Sequence, residues 1–161
     1  MFKVMIRDNM SLHAKEVLEA TGQIEVVVDN DKATGNPEML SRLIEEYDGL
    51  AVRSGTKVPG EVLENTTQLK VIGRAGVGVD NVDIEGCSKE GIIVMNVPTA
   101  NTIAAVELTM THMLSCMRMF PYSHDHLKNQ RIWKREKWYG HELKGKKLGV
   151  IGFGNIGSRV A

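Results

Sequence analysis

The apolar positions in the first part of the chain fall in short, nearly continuous runs separated by polar, glycine-rich or proline-containing stretches. Val4–Ile6, Ile24–Val28, Gly49–Val52, Leu69–Ile72 and Ile92–Met95 lack the alternation of a half-solvated strand. Such runs predict strands of a parallel sheet, covered on both faces. Between them the spacing turns helical. Leu12, Val17, Leu18 and Ala20 mark one helix that Gly22 ends, and Asn36-Pro37 opens a second with Met39, Leu40, Leu43 and Ile44 as its buried stripe. Pro59 starts a third through Val62 and Leu63, and Val82–Glu90 forms a short fourth. This alternation predicts βαβ crossovers, so residues 1–97 read as an α/β, flavodoxin-like doubly wound unit.

After Pro98 the pattern changes. Asn101 or Thr102 caps a long helix in which Val106, Met110, Met113, Leu114 and Met117 recur at helical spacing, and Pro121 ends it. Its methionines read as core or subunit-contact filler rather than ligands. The following stretch, with Trp133, Trp138 and Tyr139, has few small apolar residues for a core of its own and predicts an arm packed on another surface. Leu148–Ile151 then reads as a buried strand running into Gly152, Gly154 and Gly157, a G-x-G-x-x-G spacing. Gly152 would permit the tight turn, Gly154 the approach of a pyrophosphate to bare backbone, and Gly157 close packing of the next helix. An ordinary βα turn can carry the same glycines; the apolar run before them favours the dinucleotide reading. The acid that holds the ribose belongs about 20 residues further on. Residues 98–161 are therefore expected to be the opening of a Rossmann dinucleotide-binding domain, truncated.

Composition narrows the choice of partner. Hydrophobic content of 42% and charged content of 25% over 161 residues are those of an ordinary globular protein. A net charge of zero argues against nucleic acid or a membrane surface as the main partner. The balance hides an asymmetry: Lys128–Lys147 holds eight lysines and arginines against two glutamates, a local excess of +6. A solvated or subunit-crossing arm accounts for that segment. Cys87 and Cys116 form neither a disulfide framework nor a metal cluster, which suits a reducing compartment. With no signal-peptide pattern at Met1–Ile6 and no apolar run near the roughly 20 residues of a membrane span, a cytoplasmic location is expected.

Ligands of open parallel sheets bind beyond the carboxyl ends of the strands. Three polar clusters fall there: Arg53-Ser54, the run from Gly73 and Arg74 through Gly76, Val77 and Gly78 to Asp80-Asn81, and Asn96 with Pro98–Thr102. Two guanidinium groups, a glycine nest of free amides and a helix start describe a pocket for a small molecule with more than one negative charge. Each arginine alone could be a solvated or salt-bridged surface residue; convergence on one sheet edge favours the pocket. His124-Asp125-His126 has no second cluster with metal-site spacing, so no metal is expected. A phospho-acceptor receiver domain would need aspartate at the end of the third strand, where this chain has Arg53.

Together, Val52-Arg53-Ser54, the Gly73–Asp83 run, Asn96-Val97-Pro98 with Asn101, and the Gly152–Gly157 turn resemble the D-isomer-specific 2-hydroxyacid dehydrogenases. The resemblance runs the length of the chain and is most specific over Arg74–Asp83. It implies that residues 1–97 are the N-terminal part of a substrate-binding domain and that the long helix enters the NAD domain, which also makes a homodimer or higher homo-oligomer. It implies an NAD-dependent oxidoreductase acting on a phosphorylated 2-hydroxy acid. Arg53, Ser54, Arg74, Gly76, Val77, Gly78, Asn101 and Arg135 would bind substrate, with Val77 beside the nicotinamide. Gly152, Gly154, Asn155, Ile156 and Gly157 would hold the pyrophosphate. Val77 replaces a frequent hydroxyl residue of the family, and Ala100 a frequent glycine. The family's catalytic arginine, carboxylate and histidine would lie beyond Ala161, so no catalytic residue is assigned and the 161-residue chain is expected to be inactive. Another 2-hydroxy acid of the glyoxylate or hydroxypyruvate reductase type, and a non-catalytic dimerising module, stay open.

Overall fold

A computed structural model describes residues 1–64 and 66–161. The chain divides into two compact units, Met1–Ala100 and Asn101–Ala161. The first holds strands β1 (Phe2–Ile6), β2 (Ile24–Val28), β3 (Gly49–Val52), β4 (Val71–Arg74) and β5 (Ile93–Asn96), with helices α1 (Leu12–Glu19), α2 (Pro37–Ile44), α3 (Gly60–Leu63) and α4 (Ile84–Lys89) between them. The five strands form one sheet in the order β2-β1-β3-β4-β5, and every pair is parallel. This is the flavodoxin-like order, whose direction reverses between β1 and β3.

Short local signals set the helices. Ser11 accepts a hydrogen bond from the His13 amide, Asn36 from Glu38, and Asp83 from Gly86, each filling a free donor at a helix start. Pro37 sits in the first turn of α2, where its missing N–H costs nothing. The core gathers Met5, Leu40, Ile44, Leu50, Val52, Val58, Val62, Leu63, Ile72 and Cys87, all at most 1% exposed. Of the expected α2 stripe, Leu40 and Ile44 are buried and Leu43 packs against them, while Met39 stands out in solvent. β4 begins two residues later than the apolar run suggests and includes Gly73-Arg74, because the ladder pairs Gly49 with Val71 and Val52 with Arg74. Burial pushes the Cys87 thiol up to about 11, with the Asp83 charge adding to the rise.

The second unit holds α5 (Thr102–Met117), α6 (Phe120–Lys128), a single 3-10 turn at Arg135–Trp138 and α7 (Gly157–Val160). α5 begins where expected, with Asn101 in the cap position but making no side-chain cap bond. Pro121 does not end it. Met119, at φ +51°, breaks the helix in the left-handed region, and Pro121 lies in the first turn of α6. The strand expected at Leu148–Ile151 is not formed, and Leu148 and Ile151 are exposed. A parallel strand needs a hydrogen-bonded neighbour, and the described residues of this unit contain no strand. No helix among the described residues is long and apolar enough to cross a membrane.

Candidate functional site

The loops at the carboxyl ends of β3 and β4 form the most heavily cross-linked part of the first unit. Arg74, the last residue of β4, is half-buried, and its Nε is buried without a hydrogen-bond partner. Gly76 lies directly against it: a Cβ there would fall on the Arg74 guanidinium, so only glycine lets the side chain fold back over the turn. The turn is held by Ala75 N–H to Val52 carbonyl (2.8 Å), Val97 N–H to Gly76 carbonyl (2.9 Å) and Asn96 Nδ2 to Val77 carbonyl (2.7 Å). The Gly76 amide already donates to the Arg74 carbonyl at 2.8 Å. The nest expected from three amides thus narrows to two. Among the described residues, the N–H groups of Val77 and Gly78 have no partner. A guanidinium folded over a turn that carries two free amides offers donors for an anion.

Arg53 and Ser54 are exposed and occupy a separate place. Asp8 grips the backbone of their loop: its Oδ2 accepts from the Arg53 and Thr56 amides (2.7 and 3.0 Å), its Oδ1 from the Thr56 hydroxyl (2.7 Å). Burial acts to raise the Asp8 pKa, but these hydrogen bonds, helped by the Arg7 charge, outweigh it and hold the carboxyl below its ordinary value. From the other side, Asn81 Nδ2 donates to the Arg53 and Thr56 carbonyls at 2.8 and 2.7 Å. Arg53 and Ser54 line a cavity of about 690 Å³ together with residues that follow β1 and β2. Arg74, Gly76, Val77 and Gly78 do not line it. The two predicted arginines are therefore not brought into one cavity.

Arg7 and Asp8 escaped the sequence reading, which took the end of β1 as a plain turn. The signal was available: both follow an apolar strand at the same carboxyl edge that singled out Arg53 and Arg74. Arg7 is only 3% exposed and its guanidinium is fully engaged, with Asp29 (2.5 Å), Thr34 (2.8 Å), Thr56 (3.2 Å) and the Asp31 carbonyl (2.8 Å).

In the second unit Asn101 is exposed, and Arg135 opens the 3-10 turn. Arg135 lines a cavity of about 330 Å³ with Lys134, Trp133, Trp138 and His126. The Trp138 ring stacks with Tyr122 at 5.8 Å and meets His126 edge-on at 5.5 Å, and its Nε1 is buried without a partner. In the glycine turn, Gly152 has φ +91°, and a Cβ at Gly157 would collide with the Gly152 carbonyl. The turn thus needs both glycines, while Gly154, Asn155 and Ile156 are exposed. That backbone fits a phosphate-binding turn.

Known proteins share this architecture. The family model for the D-isomer specific 2-hydroxyacid dehydrogenase catalytic domain matches residues 4–153. The chain is 47% identical to the D-3-phosphoglycerate dehydrogenase of Methanocaldococcus jannaschii, over 99% of this chain and 29% of that protein. Among solved structures, the TT0316 protein of Thermus thermophilus matches at TM-score 0.87 and 29% identity, over 98% of this chain and 51% of that one. The cofactor (NAD+) bound 3-phosphoglycerate dehydrogenase of Entamoeba histolytica matches at TM-score 0.72 and 30% identity, over 99% and 49%. A match through almost the whole chain, on a fold with the expected strand order, places this protein in the D-isomer-specific 2-hydroxyacid dehydrogenase family.

Proposed function

We propose that the chain is the N-terminal portion of a D-3-phosphoglycerate dehydrogenase, oxidising 3-phosphoglycerate to 3-phosphohydroxypyruvate with NAD for serine biosynthesis. The observation that supports this most is the Arg74 turn. An arginine folded over a turn that carries the free amides of Val77 and Gly78 supports a reading in which a carboxylate or phosphate is held there. The identity to a phosphoglycerate dehydrogenase supports the choice of substrate.

In this reading Arg74 and the two amides bind and orient the acid, with Val77 beside the nicotinamide. Arg53 and Ser54 of the first unit, and Asn101 and Arg135 of the second, are the further residues proposed to contact substrate. NAD, when bound, accepts the hydride from C2 of the substrate. Gly152, Gly154, Asn155, Ile156 and Gly157 would hold its pyrophosphate by backbone amides. The exposed apolar side chains of α5, Ile103, Leu108 and Leu114, favour a homodimer formed through that helix. The enzyme is a cytoplasmic one. Because the chain covers 29% of the dehydrogenase it matches, it is expected to bind substrate without turning it over.

Titration of the ¹⁵N-labelled chain with 3-phosphoglycerate tests the reading. Saturable shifts are expected at Val77, Gly78 and Asn81, weakened about tenfold in Arg74→Ala, the cost of one charge-assisted hydrogen-bond group. No shift at those amides, or an Arg74→Ala chain that binds as well, would remove it. Oxidation of NADH with 3-phosphohydroxypyruvate by the 161-residue chain would overturn the expected inactivity.

A further inference from the structure

The two free amides of the Arg74 turn belong to peptide units whose carbonyls are both held. The Val77 N–H shares a peptide with the Gly76 carbonyl, which accepts from the Val97 amide at 2.9 Å. The Gly78 N–H shares one with the Val77 carbonyl, which accepts from Asn96 Nδ2 at 2.7 Å. Every peptide bond among the described residues is trans, and in a trans peptide the C=O and the N–H point in opposite directions. Both carbonyls are drawn to the end of β5, so both amides face away from it. Two successive N–H groups turned to one side make the kind of concavity that holds an anion.

The two anchors differ in kind. Arg74 and Asn96 form the last rung of the β4–β5 ladder, and the Val97 amide extends that pairing by one backbone bond. Next comes Pro98, which has no N–H to give. Among the described residues no backbone amide donates to the Val77 carbonyl, and the Asn96 side chain takes that place. A carbonyl only accepts, so the Asn96 amide must present its nitrogen there.

This single side-chain bond carries the aim of one donor. Gly78 closes the held peptide, and with no Cβ it offers little resistance to rotation of that peptide plane. The direction of the Gly78 N–H is therefore set from β5, by a residue that is not itself one of the turn's anion donors. We propose that Asn96 is a positioning residue, which aims the Gly78 amide at an anion held on the Arg74 turn. The inference rests on the dehydrogenase reading for the identity of that anion, the acid group of the substrate.

Residual dipolar couplings of the ¹⁵N-labelled 161-residue chain, followed by titration with 3-phosphoglycerate and separately with inorganic phosphate, test it. Asn96 is exposed, so Asn96→Leu and Asn96→Ala both remove the donor without opening the core. In both, the Gly78 N–H vector should reorient, while that of Val77, still held through Val97, keeps its direction. Affinity for 3-phosphoglycerate should fall about fivefold, the loss of one neutral hydrogen bond. A turn that merely loosens would move both vectors and overturn the inference. An unmoved Gly78 vector, or undiminished affinity in either variant, overturns it too; where the unaltered chain binds 3-phosphoglycerate through Val77 and Gly78, the dehydrogenase reading stands regardless. Phosphate binding at Val77 and Gly78 that weakens in both variants, with no binding of 3-phosphoglycerate, supports the positioning role and removes the dehydrogenase reading. Binding of neither anion by the unaltered chain removes both.

Discussion

Asp8 shows how one short side chain can set the position of a whole loop. Its carboxylate accepts three hydrogen bonds from Arg53 and Thr56, so the placement of Arg53 depends on a residue far from it in the chain. Asp8 and Asp29 both titrate lower in the folded chain than the ordinary carboxylate value near 4. Their stabilisation is therefore complete above that value and lost as pH falls through the lower folded values. Thermal melts between pH 5 and 2 should show this decline. Asp8→Asn keeps a side chain that tolerates the left-handed backbone but removes the charge. It should cost about 1–2 kcal/mol at pH 7 and flatten part of the acid decline; an unchanged pH profile would rule out the carboxylate as the source. Arg53, Arg74 and the glycines near them were legible in the sequence because each directly follows an apolar run. The roles of Arg7, Asp8 and Asn81 were not, since their partners lie 20 or more residues away and only the folded sheet brings them together.

At the scale of elements, β2 and β3 were legible to the residue, because glycine and polar turns bracket them. β4 was shifted because Gly73 and Arg74 look like loop, yet the ladder from β3 carries them into the sheet. The missing strand at Leu148–Ile151 teaches the converse: an apolar run specifies burial, but a strand also needs a neighbour. Pro121 reads equally well as a stop or a start, and only the left-handed Met119 before it shows that a new helix begins there. The two cysteines report on the elements that carry them. Cys87 on α4 is fully buried with its thiol pushed up to about 11, whereas Cys116 on α5 is exposed. In the isolated monomer a disulfide reagent at pH 8 should therefore modify Cys116 rapidly and Cys87 only on unfolding. Protection of Cys116 in the native chain would show that α5 is covered, as a dimer through that helix requires.

The whole molecule divides unevenly in how its stability is built. Met1–Ala100 has a continuous core, while in Asn101–Ala161 only Thr102 and His126 are buried. Limited trypsin digestion should cut first among the lysines and arginines of Lys128–Lys147 and leave a resistant product containing Met1–Ala100. Loss of both units at the same rate would show instead that they unfold together.

The strand order also bears on how the protein is made. β1 ends up in the interior of the sheet, flanked by β2 and β3, and from β4 onward each strand pairs with the one synthesised just before it. On the ribosome the sheet can therefore grow outward in the order of translation, every new strand meeting an edge that already exists. β5 is the last to be laid down, and Ile93 and Met95 remain largely exposed on it. A nascent chain paused there would present an open sheet edge bearing exposed apolar side chains, a surface a chaperone could cover.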